Sequence, residues 1–150
     1  MRFSELTVGR VIETRERSVT TEEIIAFASR YDPQWFHTDL DRAATGRWSG
    51  LIASGWMTCA IGMELAVEAV LAGSESFGSP GIDQLRWLEP VRPGDALRLR
   101  LEVLEARRSS SGRTGIVNWQ WRLSNQAARP VLEMIATSLF DLGEDGDGSA

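Results

Sequence analysis

The segment from Leu51 to Ala72 limits what this chain can fold into more than any other stretch. It is apolar almost throughout, broken by Glu64, Glu68 and two glycines, Gly55 and Gly62. Two carboxylates inside it make a poor membrane span and a good buried helix. The pattern predicts one long helix from about residue 50 to residue 72, closed by Gly73. A helix apolar on nearly every side must be wrapped by other elements. Gly55 and Gly62 lower its helix propensity, so both are expected where a sheet or a ligand packs close to the backbone.

The second half of the chain supplies the wrapping. Gly81-Ile-Asp-Gln-Leu-Arg-Trp-Leu88 predicts a strand ending at Pro90, and Val91-Arg-Pro-Gly-Asp95 predicts a turn. Leu97, Leu99, Leu101 and Val103 alternate with charged residues until Leu104 breaks the phase, as at a β-bulge. Val117, Trp119, Trp121 and Leu123 alternate in the same way, and a last strand is expected from Pro130 to Phe140. Strands of this kind joined by short turns predict an antiparallel sheet with one buried face. Sheet and helix together make an α+β architecture. A chain of 150 residues suits one domain, here residues 1–142. Residues 143–150, acidic and rich in glycine, are expected to be a disordered tail.

In the first half, residues 3–19 read as extended. Thr20-Thr-Glu-Glu23 is a capping-box signature. Ile24, Phe27, Ala28 and Tyr31 follow at helical spacing until Pro33 stops the helix. Asp32 precedes that proline and is pushed out of the α region. His37, the only histidine, comes five positions later. Thr38-Asp-Leu-Asp41 can cap a short helix ending at Gly46, which would fix His37 between two helices. A carboxylate and an imidazole converging on one space are the usual equipment for moving protons. A lone histidine after an aromatic residue is also common as plain packing.

Composition removes several function classes. All 16 basic residues are arginine, so no lysine Schiff base and no P-loop lysine is available. A net charge of -5 and a pI of about 4.9 argue against nucleic acid as a partner. One cysteine, Cys59, forms no internal disulfide, and one Cys with one His forms no zinc cluster. Cys59 itself reads as inert packing in an apolar helix. The first residues carry no apolar signal run, so a cytoplasmic protein that neither spans nor binds a membrane is expected.

Asp32, Gln34, Phe36 and His37 resemble the active-site loop of MaoC-like acyl dehydratases and (R)-specific enoyl-CoA hydratases, with Trp35 where that family usually has proline. Gly50-Leu-Ile-Ala-Ser-Gly-Trp56 is similar to the start of the family's central helix. The likeness continues through Leu85-Arg-Trp87 and Pro90-Val-Arg-Pro-Gly-Asp95. The resemblance implies the hot dog fold, in which an antiparallel sheet curls around a long central helix. It also implies a homodimer, or a multiple of dimers, with sheets joined edge to edge. It implies a hydro-lyase that reversibly hydrates trans-2-enoyl thioesters to (R)-3-hydroxyacyl thioesters. The acyl-CoA or acyl-carrier thioester is then substrate, and no other cofactor is expected.

Carried over residue by residue, the resemblance makes His37 the base that activates water and Asp32 the group that delivers a proton to the α-carbon. How the acid and base roles divide between the two stays open at this point. Gly50 matches the family glycine whose N–H receives the thioester oxygen. Thr58 matches a hydroxyl that orients water or substrate, although a hydroxyl bonded back to a helical carbonyl explains it as well. Trp35, Trp48 and Trp56 flank these segments and are candidates for an acyl pocket, against ordinary packing. Arg86, Arg92 and Arg113 are candidates for the phosphates of coenzyme A, against a solvated sheet face. Two other activities stay open: a hot dog acyl-CoA thioesterase, which would not need the Asp-to-His loop, and a carrier-protein-dependent 3-hydroxyacyl dehydratase of lipid or polyketide synthesis. The presence of both Asp32 and His37 weighs against a third, an inactive acyl-binding subunit.

Overall fold

A computed structural model describes residues 1–143 of the chain, and the tail expected from residue 143 lies, apart from Gly143, outside the described residues. A single 3-10 turn, Phe3–Glu5, replaces the start of the extended opening segment, which becomes β1 only at Val11–Ser18. Helix α1 spans Thr21–Tyr31. Thr20 accepts a hydrogen bond from the Glu23 N–H while the Glu23 carboxylate accepts from Thr20, which closes the expected capping box. Two short helices follow, α2 at Trp35–Thr38 and α3 at Leu40–Ala44, the second capped by Asp39. His37 therefore lies inside a one-turn helix, not in a link between helices.

The central helix, α4, runs over Gly55–Ala66 and widens into a π-helical turn at Val67–Leu71, where the Ala72 N–H reaches back to the Val67 carbonyl. It starts about five residues later than the apolar pattern predicts. The reason is lateral hydrogen bonding: the Ile52 N–H donates to the Phe36 carbonyl and the Ala53 N–H to the Val91 carbonyl. Those two bonds tie residues 52 and 53 to neighbouring segments and keep residues 51–54 out of the helix, and the apolar side chains that suggested helix are buried all the same.

Strands β2 (Ser76–Trp87), β3 (Ala96–Arg108), β4 (Thr114–Ser124) and β5 (Pro130–Asp141) join β1 in an antiparallel sheet of order β1-β3-β4-β5-β2. Pairing between β3 and β4 shifts register between Val103 and Glu105, and Leu104 is the exposed residue that the bulge extrudes. The inward set of β3 and β4, from Leu97 to Leu123, packs with Leu132 and Phe140 of β5 against Met57, Ile61, Leu65 and Val70. Each such side chain contributes about 1.5–3 kcal/mol by leaving water.

The two glycines of α4 behave differently. A Cβ on Gly55 would lie 2.5 Å from the Trp87 ring, so close approach requires glycine there. Around Gly62 the space is open, and the expected close packing is absent. Glu64 and Glu68 turn to one flank of α4 and pair with Arg15 and Arg17 of β1. Among the described residues, no helix is long and apolar enough to cross a membrane.

Candidate active site

The loop between α1 and α2 and the strand-like run before α4 converge on one cleft. Asp32 ends α1: its N–H still bonds the Ala28 carbonyl, but its φ of -152° and ψ of 66° leave the helix, as the following proline demands. Its carbonyl then accepts from the Gln34 N–H, and the Gln34 carbonyl accepts from the His37 N–H. These tight turns swing Asp32 and His37 towards each other. Asp32 Oδ2 stands 3.2 Å from His37 Nε2.

The histidine ring is buried, with 5% of the residue exposed, and Nδ1 lies 2.7 Å from the Ile52 carbonyl oxygen. A carbonyl oxygen can only accept, so Nδ1 carries the hydrogen. In the neutral ring Nε2 is then the bare nitrogen, aimed at a carboxylate oxygen that also accepts. Two acceptors so placed require a proton between them or a donor touching both.

Asp32 has two further partners. Ser54 Oγ donates to Oδ2 at 2.7 Å, and Gln34 Nε2 donates to Oδ1 at 2.7 Å. Burial by itself pushes the Asp32 carboxyl up, but the bonds from Ser54 and Gln34, together with the facing His37 ring, outweigh it and hold the group below its ordinary value. The resting carboxyl is therefore a carboxylate at neutral pH.

Asp32 and His37 open into a cleft of about 340 Å³ whose walls include Trp48, Trp56, Trp87, Thr58 and Val91. The first turn of α4 forms part of its floor, through Gly55 and Trp56. Amides of a first helical turn have no acceptor inside the helix, and they carry the positive end of its dipole. Ser54, the N-cap residue, makes no capping bond to them.

The structure corrects several of the residue assignments. Gly50 is not at a helix start: its φ is 146°, and its N–H is already donated to the Ala43 carbonyl at 2.9 Å, so it has no hydrogen to offer a thioester. Trp35 faces away from the cleft, packed over Gly46 with the Arg42 guanidinium 4.4 Å above its ring. Thr58 borders the cleft, and its hydroxyl bonds back to the Ser54 carbonyl at 3.4 Å. Trp56 borders the cleft as well and meets Trp87 edge-on. Arg92 lies at this end of the molecule, where it donates to the Trp48 carbonyl. Arg86 and Arg113 lie elsewhere, Arg86 opposite Glu133 on the sheet and Arg113 beside Thr114 and Asp141. Burial pushes the half-buried Cys59 thiol up, which suits an inert side chain. Among the described residues, no group of His, Cys, Asp and Glu side chains is placed to hold a metal ion.

Two residues of the site escape a reading of the sequence. Ser54 has the residue type and place of an ordinary N-cap, so nothing in the pattern points it at Asp32. Trp87 looks like one more strand aromatic, yet its Nε1–H donates to the Gly55 carbonyl at 2.9 Å and its ring covers that glycine.

Comparison with known proteins sets this site in context. Residues 3–120 match the family model described as the MaoC like domain. The uncharacterized protein YdeM of Bacillus subtilis (strain 168) is 35% identical over 105 residues, covering 70% of this chain and 74% of that one. The crystal structure of a MaoC-like dehydratase from Rhodospirillum rubrum superposes with a TM-score of 0.85 at 34% identity, over 92% of this chain and 94% of that one. The R-hydratase PhaJ1 from Pseudomonas aeruginosa gives 0.77 at 30% identity, over 94% and 86%. A Mycobacterium tuberculosis protein with a double hotdog fold gives 0.71 at 21% identity, over 99% of this chain and 46% of that one, a likeness that bears on fold alone. The sheet curled around α4 is a hot dog fold.

Proposed function

The chain belongs to the MaoC-like domain family of dehydratases and hydratases, and from that premise we propose that it reversibly hydrates trans-2-enoyl thioesters to (R)-3-hydroxyacyl thioesters. The observation that carries this reading is the facing pair His37 Nε2 and Asp32 Oδ2, 3.2 Å apart and bordering a cleft. Their separation is too short for a water in line between them. A water to one side can donate one hydrogen to each, which turns a lone pair of its oxygen towards the substrate.

In hydration that oxygen bonds the β-carbon while the C=C electrons move onto the thioester oxygen. The O–H bond of the water breaks, and its proton enters the Asp32–His37 pair. The α-carbon then takes a proton from the same pair. His37 acts as the base, and Asp32, which starts as a carboxylate, must be recharged by the water's proton before it can give one up. The enolate oxygen belongs at the first-turn amides of α4, with Gly55 and Trp56 as donors in place of Gly50. One such donor is typically worth about 3 kcal/mol of transition-state stabilisation. The chemistry draws on no metal and no cofactor besides the thioester itself.

The reading of the assembly is supported by one of the sheet's two edges. β2, like β1, pairs on one side only; Phe77 and Ile82 are exposed on it, and Ile82 shares a groove with Met63 and Val67 of α4. An open apolar edge invites pairing with a second copy. A homodimer, or a multiple of dimers, should be seen by light scattering, and a stable active monomer at micromolar concentration would contradict it.

Incubation with crotonyl-CoA tests the reaction. The enoyl absorbance should fall, a 3-hydroxyacyl product of R configuration should appear, and no free thiol should be released. Rapid thiol release without that product would replace the hydratase reading with the thioesterase one.

A further inference from the structure

Ser54 stands at the N-cap of α4, fully buried, with the φ and ψ of an ordinary cap residue. A serine in that place normally turns its oxygen to the N–H of the second or third helical residue. Here the hydroxyl makes no such bond and donates instead to Asp32 Oδ2, the same oxygen that faces His37. The choice has two effects at once. Oδ2 is fixed between a hydroxyl and an imidazole, which leaves the carboxylate little freedom to rotate. The first-turn amides of α4 also go without a side-chain cap, and Gly55 and Trp56 of that turn border the cleft.

We propose that Ser54 is a positioning residue: it holds Asp32 Oδ2 against His37 and, by declining to cap α4, leaves the helix N-terminus free to bind the substrate oxygen. The role rests on the hydratase reading for its catalytic consequence, although the Ser54–Asp32 contact can be tested without it. His37 is the titratable group that faces Asp32, and Glu89 is the other acidic side chain bordering the cleft. Gln34 holds the second carboxylate oxygen and should keep Asp32 in the site when Ser54 is changed.

Ser54→Ala is the direct test. Loss of orientation should lower kcat by up to about 100-fold with KM little changed, since a small misplacement of a reacting group is enough for that. The acid limb of kcat/KM should also move to higher pH, because Asp32 loses a hydrogen bond that favours its charged form. A purely structural serine would leave that limb where it is. Ser54→Gly removes the same hydroxyl at a position where glycine is tolerated, and it serves if the alanine variant does not fold. Carbon-13 NMR of the Asp32 carboxyl reads the contact without substrate: its titration midpoint should rise in either variant. An unchanged midpoint, or wild-type kcat with an unmoved acid limb, would overturn the proposal. A wild-type protein inactive on enoyl thioesters would instead remove the hydratase reading, and the NMR midpoint would still decide for or against the role of Ser54.

Discussion

The two ends of α4 are built on different terms. Towards its C-terminus, Glu64 and Glu68 meet Arg15 and Arg17 across exposed or half-exposed ion pairs, while Leu65 and Val70 are sealed in the core. The acidic side chains there have arginine partners. At the N-terminus a buried serine leaves its helix uncapped, a buried histidine faces a carboxylate at 3.2 Å, and a tryptophan ring rests on a glycine. A missing N-cap commonly costs about 1 kcal/mol, and taking an ionisable pair out of water carries a desolvation cost of its own. One end maximises stability and the other gives some up. Local rules fail together where chemistry is to be done.

The comparison predicts a double dissociation. Leu65→Ala should cost about 2–5 kcal/mol of unfolding free energy in urea, the range for a deleted core leucine, while turnover per folded molecule stays within a few-fold. Asp32→Asn and His37→Ala should do the reverse. Each should lower crotonyl-CoA hydration by at least ~100-fold, or about 2.7 kcal/mol, with Asp32→Asn melting close to wild type. Wild-type-like turnover in either site variant would erase the contrast between the two ends. A Leu65→Ala protein that is stable but inactive would reverse it.

Gly55→Ala probes the seam between the two regimes. Its Cβ would enter the Trp87 ring, so either α4 or Trp87 must move. Overpacking of this kind costs roughly 1–3 kcal/mol. If the Gly55 N–H receives the substrate oxygen as proposed, activity should fall along with stability. Loss of stability with full activity would mean that Trp87 gives way and that the amide keeps its place.

How much of this was legible depends on whether a residue's partners lie in its own pattern. The alternation in β3 and β4, the bulge at Leu104 and the capping box at Thr20 are set by near neighbours, and they emerge as read. The Asp32-to-His37 loop was visible because proline and spacing constrain it locally. The start of α4 was not visible. Ile52 and Ala53 are apolar like the helix that follows, and their bonds to Phe36 and Val91, distant in sequence, keep them out of it. That one displacement explains the Gly50 error, since the helix start moves to Gly55 and the Gly50 N–H goes to Ala43. Ser54 was hidden for a related reason: its partner is 22 positions away. Arginines on a solvated sheet carry no pattern that marks a phosphate site, and only Arg92 of the three lies near the cleft.

The smallest effect separates the two ends by salt. Glu68 is held below the ordinary carboxylate range chiefly by its hydrogen bonds from Arg15, with the charges of Arg15 and Arg17 adding to them. At Asp32 burial pushes the other way, and the donors Ser54 and Gln34, with His37, more than offset it. Both carboxyls thus bind a proton less readily in the folded chain than in the unfolded one. Their stabilisation is fully present above the unfolded values, about 4.3 for Glu and 3.9 for Asp, and it is lost as pH falls through the lower folded ones. Acid titration alone cannot tell them apart, but salt can. At about 1 M the screening length is roughly 3 Å, enough to weaken the exposed Arg15–Glu68 pair, while neutral donors on a part-buried carboxylate are hardly screened. The fall in urea midpoint between about pH 5 and pH 3 should therefore shrink in Glu68→Gln at low salt and match wild type at high salt. In Asp32→Asn it should shrink by the same amount in both. If Asp32→Asn proved as salt-sensitive as Glu68→Gln, the Asp32 carboxylate would be held by charge and not by Ser54 and Gln34. The two ends of α4 would then differ in exposure alone.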